Sequence, residues 1–216
     1  LNSKFNYYFV PMEHLELVDR VYLAVKRMIL EQELLPGQKL VQEKLAAELG
    51  VSRSPLLKAL QRLESELLVE QIPRRGMYVK QLVPTEIRDI FACRAVIEGL
   101  SARLTARHAT PDQINDLRVC FTPFVGIADI DQEAYARADR KFHQLVMAFS
   151  QNAVVSRLEL LTNIHLTAFQ AGLLRPPATT LPEHMAIIEA IAARDGTTAE
   201  RLMRQHIEDS GQQIEA

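Results

Sequence analysis

The stretch PGQKLVQEKLAAELGVSRSPLLKALQRL, residues 36–63, decides the fold of the first part of the chain. Pro36-Gly37 is a strong turn signal. A short helix follows over about 41–49, and Gly50 fits its C-terminal cap. Ser52 then offers an N-cap for a helix with an apolar stripe. The members of that stripe are Leu56, Leu57, Leu60 and Leu63.

The segments on either side complete a recognisable order of elements. Before the turn, apolar residues recur at helical spacing from Leu15 to Ile29, which predicts a first amphipathic helix. After the third helix, residues 67–72 and 77–82 are short β-prone runs joined by Pro73-Arg74-Arg75-Gly76, which predicts a hairpin with a basic tip. Helix, helix, turn, helix and hairpin is the order of a winged helix-turn-helix.

Everything after Pro84 has helical character. Capping boxes are predicted at Thr110…Gln113, Thr180…Glu183 and Thr197…Glu200. The helices are expected at about 85–107, 111–127, 131–149, 152–173, 181–193 and 197–215. The predicted fold is therefore mainly α. It has an N-terminal arm (1–12), a winged helix-turn-helix domain (13–82) and an all-α six-helix bundle (83–216).

Composition narrows the class of protein. The chain has 216 residues, of which 48% are hydrophobic and 24% charged, so it has enough apolar residues to form hydrophobic cores. The longest uncharged stretch, 160–174, is shorter than the ~18 residues that a membrane span needs. No secretory leader is expected at the start. The two cysteines, Cys93 and Cys120, form neither a disulfide framework nor a zinc knuckle. We expect a cytoplasmic protein.

The charge is uneven along the chain. The formal net charge is −2, yet residues 52–80 contain six basic and three acidic side chains. A locally basic stretch in an acidic protein suggests that one face of the protein contacts the phosphate groups of a nucleic acid. The residues expected to contact DNA are Ser52, Arg53, Ser54, Lys58, Arg74, Arg75 and Gly76. The alternative is a helical hairpin whose basic residues are simply solvated.

A possible metal site lies in the second domain. Asp139 and His143, at i and i+4, border the apolar stripe of one predicted helix. His184 and His206 lie on the apolar faces of two other helices. A carboxylate is costly to bury unless it is paired or binds a metal, and three histidines with one aspartate suit a first-row transition ion. The alternative is a set of hydrogen-bonded core histidines; His165, also on an apolar face, illustrates that alternative.

Arg94 allows two interpretations. It lies one turn before Glu98, so the two could form an exposed i,i+4 ion pair. Alternatively it could be an anion clamp inside the bundle, because a guanidinium binds a carboxylate bidentately. The residues alone favour the exposed pair.

These motifs together resemble a known family. Residues 36–40, 43–46, 49–55 and 59–63, with the wing 73–79, look like the DNA-binding domain of GntR-type transcription regulators. Asp139-Arg140-Lys141-Phe142-His143, Asn152, the run 183–191 and the run 202–207 are similar to the FCD effector domain of the FadR-type members. Six helices resemble the shorter, VanR-like subgroup.

The resemblance implies a homodimer that binds a palindromic operator, more often as a repressor. It implies that Asp139, His143, His184 and His206 hold a divalent ion, with zinc expected and nickel or manganese as alternatives. It also implies a small carboxylate effector, and it assigns Arg94, Asn152 and His165 to the effector pocket, which reverses the preference at Arg94.

The chain departs from the family at three positions. Leu57 and Lys58 stand where members usually have Arg then Glu, and Leu67 replaces a common Gly. Leu57 cannot donate a hydrogen bond to a base, so an unusual operator is expected. Two other functions stay open: a metal-dependent hydrolase or lyase that uses the cluster to activate water, and a DNA-binding regulator whose metal is purely structural.

Overall fold

A computed structural model describes residues 16–31, 33–162 and 173–214 of the chain. The described residues separate into two compact units, divided between Gln81 and Leu82. The sequence places this boundary one residue later. The N-terminal arm 1–12 lies outside the described residues.

The first unit has the elements of a winged helix-turn-helix. Its helices are α1 (Leu17–Leu30), α2 (Gln42–Glu48) and α3 (Arg53–Ser65), and its strands are β1 (Lys39–Leu40), β2 (Val69–Ile72) and β3 (Gly76–Val79). The sheet is antiparallel with the order β1-β3-β2. Strand β1 pairs Leu40 with Met77. It was not predicted, because two residues are too few to show the alternation of apolar and polar side chains that indicates a strand.

The core of this unit follows the predicted leucine stripe. Leu56, Leu60 and Leu63 are fully buried on α3, which packs against α1 and α2. Leu57 is only half-buried. The hairpin turn spans residues 73–75, with Arg74 in the left-handed region at φ 63°. A left-handed residue is common in three-residue hairpin loops, where it keeps the two strands in register.

The second unit is all-helical. Its helices are α4 (Pro84–His108), α5 (Pro111–Phe121), α6 (Gln132–Phe149), α7 (Ala153–Thr162), α8 (Pro177–Ala192) and α9 (Gly196–Gly211), with a 3₁₀ turn at Thr122–Phe124. The predicted mainly α fold, with a winged domain before a helical domain, is confirmed. None of the helices among the described residues is both long and apolar enough for a membrane crossing.

Helices α4 and α9 pack closely and antiparallel. A Cβ at Gly99 would lie 2.6 Å from Arg204 Cγ, and one at Gly211 would lie 3.0 Å from Phe91 Cβ. Glycine at these positions therefore permits the two helices to approach each other. The approach places the C-terminal half of α9, with His206, beside the N-terminal half of α4.

Several predicted helix boundaries are corrected. The Thr110…Gln113 capping box is confirmed at the start of α5. The box at Thr180…Glu183 is wrong, because α8 already begins at Pro177 and Thr180 lies inside it. The box at Thr197…Glu200 is also wrong, because Asp195 caps α9 by accepting from Thr198 N–H. Ser52 occupies the N-cap position of α3, but its side chain makes no capping hydrogen bond.

Candidate metal centre and nucleic-acid interface

Four residues from three helices of the second unit meet at one point. Asp139 and His143 come from α6, His184 from α8 and His206 from α9. One potential ligand atom of each lies within 4.8 Å of those of the others. His184 Nε2 is 3.2 Å and His143 Nε2 is 3.9 Å from Asp139 Oδ1. The structure thus brings together the four residues that the sequence selected.

The histidines of this cluster are buried, and its aspartate is partly accessible to solvent. The three histidine side chains are at most 5% exposed, whereas a quarter of the Asp139 side chain is accessible. His184 stacks on the Phe121 ring at 4.4 Å, and the His143 and His206 rings are stacked with centroids 5.4 Å apart. The three imidazole rings are therefore held in the core, and within the described part of the chain the cluster is accessible to solvent only on the side of the Asp139 carboxylate.

Each histidine is oriented by a different polar group at its Nδ1. His143 Nδ1 lies 2.5 Å from Glu98 Oε2. His206 Nδ1 lies 2.7 Å from Glu183 Oε2. His184 Nδ1 lies 3.0 Å from the hydroxyl of Tyr135. Metal-binding histidines commonly have such partners, which fix the ring and its tautomer.

The partners at His143 and His206 determine which ring nitrogen is protonated. Arg94 pairs with Glu98, and Arg175 pairs with Glu183, so both carboxylates are acceptors. Burial opposes ionisation of Glu183, but hydrogen bonds from His206 and Arg175 lower its pKa to about 2. Each histidine Nδ1–H must therefore donate to its carboxylate, which leaves Nε2 as a lone-pair donor to a metal.

A hydrogen-bond chain through Tyr135 and Thr180 favours the same tautomer at His184. Thr180 Oγ1 lies 3.5 Å from the carbonyl of Pro176, which can only accept. If Thr180 donates to this carbonyl, it accepts from the Tyr135 hydroxyl at 2.8 Å, and Tyr135 in turn accepts from His184 Nδ1–H. His184 Nε2 is left as an acceptor, and it is a buried atom without a hydrogen-bond partner among the described residues.

Electrostatics keep these rings neutral. Burial lowers the pKa of His143, His184 and His206 below the usual 6.5. Neutral imidazoles can bind a metal, whereas protonated ones cannot. Unprotonated Nε2 atoms that face a carboxylate repel it, and a cation between them would remove the repulsion. The donor set of three nitrogens and one oxygen fits a first-row transition ion, and this cluster can hold one.

Arg94 is buried rather than exposed. It is 7% exposed, and its Nε donates to Glu98 Oε1 at 2.6 Å, while Glu98 is fully buried. The exposed ion pair favoured by the residues alone is wrong, because both side chains lie on the face of α4 that packs into the bundle. Arg94 lines a cavity beside Asp139, His143 and His206, which accords with the position that the resemblance implies.

The resemblance also assigns Asn152 and His165 to the effector pocket. Asn152 Oδ1 accepts from the N–H groups of Val154 and Val155 at the start of α7. Asn152 does not line the cavity among the described residues. His165 lies outside the described residues.

The groups that orient the candidate metal ligands were not predicted from the sequence. Glu98 and Tyr135 orient two of the histidines, and Glu183 with Arg175 orients the third. One signal existed: Glu98 lies on the same helical face as Ala95, Gly99 and Ala102, a stripe of small residues that indicates close packing. Glu183 was interpreted instead as part of a capping box.

The predicted DNA-contacting residues are mostly exposed on the first unit. Ser52, Arg53, Ser54 and Lys58 are exposed at the N-terminal half of α3. Arg74 and Arg75 are exposed at the wing tip, and Gly76 is half-buried at φ 105°. Arg53 contacts α2, donating to Gln42 Oε1 at 3.1 Å and lying 3.6 Å from Glu43.

Comparison with known proteins agrees with this arrangement. The model of the bacterial gntR regulatory proteins matches residues 17–79, and the FCD domain model matches residues 89–209. An HTH-type transcriptional regulator in an unstable DNA locus of Streptomyces ambofaciens is 31% identical over 87% of this chain and 80% of its own length. The HTH-type transcriptional repressor RspR of Escherichia coli K12 is 25% identical over 90% of this chain and 87% of its own length.

A solved structure shows the same fold. A Rhodococcus sp. RHA1 protein described as a GntR transcriptional regulator superposes with a TM-score of 0.75 at 21% identity, covering 91% of this chain and 96% of that one. The proteins of this family are transcriptional regulators, not enzymes. The chain therefore belongs to the GntR family of bacterial regulators, with an FCD domain, and it is a DNA-binding transcriptional regulator.

Proposed function

We propose that this regulator is a homodimer that binds a palindromic operator under the control of a small carboxylate effector. The effector site is the divalent metal ion that Asp139, His143, His184 and His206 would hold. The convergence of these four ligand atoms within 4.8 Å, with each histidine oriented at Nδ1, carries the proposal. When bound, the ion would supply a Lewis-acidic centre for an anionic ligand.

The open side of the cluster favours an effector site over a purely structural metal. Asp139 is partly accessible, and the cavity beside it also exposes Arg94. Arg94 uses Nε for Glu98, which leaves its two terminal nitrogens to bind a carboxylate. A closed structural site needs neither an accessible ligand nor a guanidinium beside it.

Helix α4 offers the route by which ligand binding would reach the DNA-binding unit. It begins at Pro84, three residues after the first unit ends, and it contains both Arg94 and Glu98. A ligand that moves Arg94 therefore acts on the helix that follows the connection directly. Since a dimer must match two half-sites about one DNA turn apart, a small reorientation weakens binding to both.

The uncapped start of α3 supports an operator contact there. Ser52 makes no capping bond, so the first N–H groups of α3 and the Ser52 hydroxyl can bind phosphate. Arg74 and Arg75 at the wing tip would contact the neighbouring backbone. We propose repression as the output, as in the name of the relative RspR.

Selection of bound sequences from a random duplex pool, at near-physiological salt and with zinc present, tests the proposal. We expect enrichment of a palindrome. Lys58→Ala should weaken binding to it, whereas Lys141→Ala, an exposed lysine of the helical unit, should not. Sequence-blind binding, or equal effects of the two substitutions, would contradict the assignment of α3 as the reading helix.

A second measurement separates the roles of the metal. Operator affinity of the zinc-loaded chain should change when a carboxylate that binds the metal site is added. The Asp139→Asn variant should bind the same operator but lose that response. If zinc removal unfolded the helical unit and no carboxylate altered operator affinity, the metal would be purely structural.

A further inference from the structure

Helix α4 presents apolar side chains to solvent on the face that points away from the bundle. Val96 and Leu100 are 52% and 39% exposed, although the other face of α4 packs against α6, α8 and α9. Ile97 and Leu104 flank them, are only half-buried, and lie outside the apolar core that the described residues of this unit form. Exposed apolar side chains grouped on one helix face indicate an interaction surface.

These apolar residues belong to a longer exposed stripe with a regular spacing. The α4 stripe consists of six exposed residues, namely Asp89, Cys93, Val96, Leu100, Arg103 and Arg107. They follow one another at intervals of four, three, four, three and four residues, as in the contact line between two packed helices. At 3.6 residues per turn they lie within an arc of about 80°. The order of intervals is the same in both directions, so a second copy of α4 can pack antiparallel against the first.

The charges at the two ends of the stripe complement each other in the antiparallel arrangement. Neither Asp89 at one end nor Arg107 at the other has an ion-pair partner among the described residues. When two copies align about the level of residue 98, each Asp89 lies opposite Arg107 of the second copy. The same alignment sets Val96 opposite Leu100 of the second copy. Parallel helices would instead set Asp89 against Asp89 and Arg107 against Arg107, which repel.

We infer that the helical units of two copies of this chain meet along the α4 stripe, with the two α4 helices antiparallel. A two-fold symmetric dimer uses the same surface on both copies, and a stripe that matches its own reverse meets that requirement. The inference rests on the proposed function, which takes the regulator to be a homodimer, and it adds where the copies join. The opposite face of α4 carries Arg94 and Glu98 toward the candidate metal centre, so one helix would connect that centre with the second copy.

Sedimentation equilibrium of the full chain tests whether this surface joins the copies. Val96→Lys brings two ammonium groups together near the two-fold axis, so the dissociation constant of the dimer should rise about tenfold or more. Val119→Lys is the matched control, since Val119 has the same exposed fraction of 52% but lies on α5, and it should leave the constant unchanged. Equal effects of the two substitutions, or none, would overturn the inference, leave the homodimer intact and assign the stripe to another protein. A wild-type chain that stays monomeric would contradict the proposed function, and this inference with it.

Disulfide formation tests the direction and register of the two helices. In the antiparallel alignment Cys93 lies opposite Arg103 of the second copy, whereas Arg103 of its own helix is ten residues, or about 15 Å, away. That distance is too long for a disulfide within one chain. Arg103→Cys should therefore give a covalent dimer on oxidation with diamide, measured on a denaturing gel. Its loss of the exposed ion pair with Glu200 should cost little stability.

Two controls accompany this oxidation. The wild-type chain should give no covalent dimer, because its two Cys93 side chains are also about 15 Å apart along the helices and Cys120 is buried. Arg137→Cys, at an exposed position of α6, should behave like the wild type. A covalent dimer of the wild type would indicate parallel helices, and failure of Arg103→Cys to form one would place the second copy elsewhere. Either result would overturn the inference.

Discussion

Each unit of this regulator buries a polar network, and the two networks differ in how their charges are compensated. In the DNA-binding unit, Tyr22 donates to Glu66 at 2.8 Å, and the Lys26 ammonium lies 3.0 Å from the same carboxylate. Every one of these contacts joins a donor to an acceptor. In the helical unit, His143 Nε2 and His184 Nε2 lie 3.9 and 3.2 Å from Asp139 Oδ1, and with the tautomers assigned above these are acceptors that face an acceptor.

The difference separates a structural network from a binding site. The network of Tyr22, Lys26 and Glu66 ties α1 to the end of α3, and Arg62 adds a cation–π contact over the Tyr22 ring at 3.8 Å. It needs no ligand to be complete. The cluster around Asp139 would be completed by the cation that we propose it holds. The pairing of donors with acceptors therefore assigns different roles to these two buried polar networks.

The largest expected effect comes from breaking the network of the DNA-binding unit. Glu66→Ala leaves the Lys26 ammonium buried without its carboxylate, so the free energy of unfolding should fall by about 3–5 kcal/mol. Urea unfolding at neutral pH measures this. Glu48→Ala, at an exposed position of α2, is the control and should change stability little. A loss below about 1 kcal/mol at Glu66 would mean that the pair behaves like an exposed one.

Zinc should stabilise the helical unit by a comparable amount. With free zinc about 100-fold above its Kd, binding to the folded state alone adds ~2.7 kcal/mol to the free energy of unfolding. His206→Ala should abolish this gain, because it removes one ligand. His108→Ala, at an exposed position, should retain it. Zinc that stabilises both variants equally would place the ion elsewhere.

Acid should destabilise the metal-free helical unit. The folded pKa values of His143, His184 and His206 lie below 6.5, so between these values and 6.5 the unfolded chain binds more protons than the folded one. Stability should therefore be greatest above about pH 6.5 and fall as the pH decreases, by up to ~1.4 kcal/mol per pH unit for each histidine. Urea unfolding across this range checks the direction. Stability that is flat or rises on acidification would contradict the burial of neutral imidazoles.

The smallest effect concerns the residue after Glu66. Leu67 is 60% exposed and lies in the left-handed region at φ 59°, a conformation that costs a non-glycine residue about 1–2 kcal/mol. Leu67→Gly relieves this strain but gives the unfolded chain more freedom. We expect a net stabilisation of up to ~1 kcal/mol in urea unfolding. Leu35→Gly, at an exposed position without positive φ, should instead lose stability.

The residues of the candidate metal centre were predictable because helical spacing fixes which residues share a face. Asp139 and His143 are one turn apart, and the apolar neighbours of His184 and His206 showed that these rings point inward. Leu67 was likewise recognised as standing where a glycine is usual, and the structure gives the reason in its positive φ.

The groups that orient the ligands were not predictable in the same way. An i,i+4 pair such as Arg94 and Glu98 has the same spacing whether it faces water or the core. Only the approach of α9 to the glycine face of α4 decides that this pair is buried. The start of α8 was misplaced because Thr180 is a good capping residue. Thr180 instead lies inside α8, and its hydroxyl bonds the hydroxyl of Tyr135 on α6.

Metal stoichiometry tests the central claim most directly. The chain is stripped with a chelator, dialysed against a slight excess of zinc in a buffer that does not bind metals, and analysed for bound zinc per chain alongside Asp139→Asn and His108→Ala. We predict one zinc per chain for the wild type and for His108→Ala, with a large loss of affinity for Asp139→Asn. Substoichiometric zinc in the wild type, or undiminished affinity in Asp139→Asn, would contradict the assignment of this cluster as a metal centre.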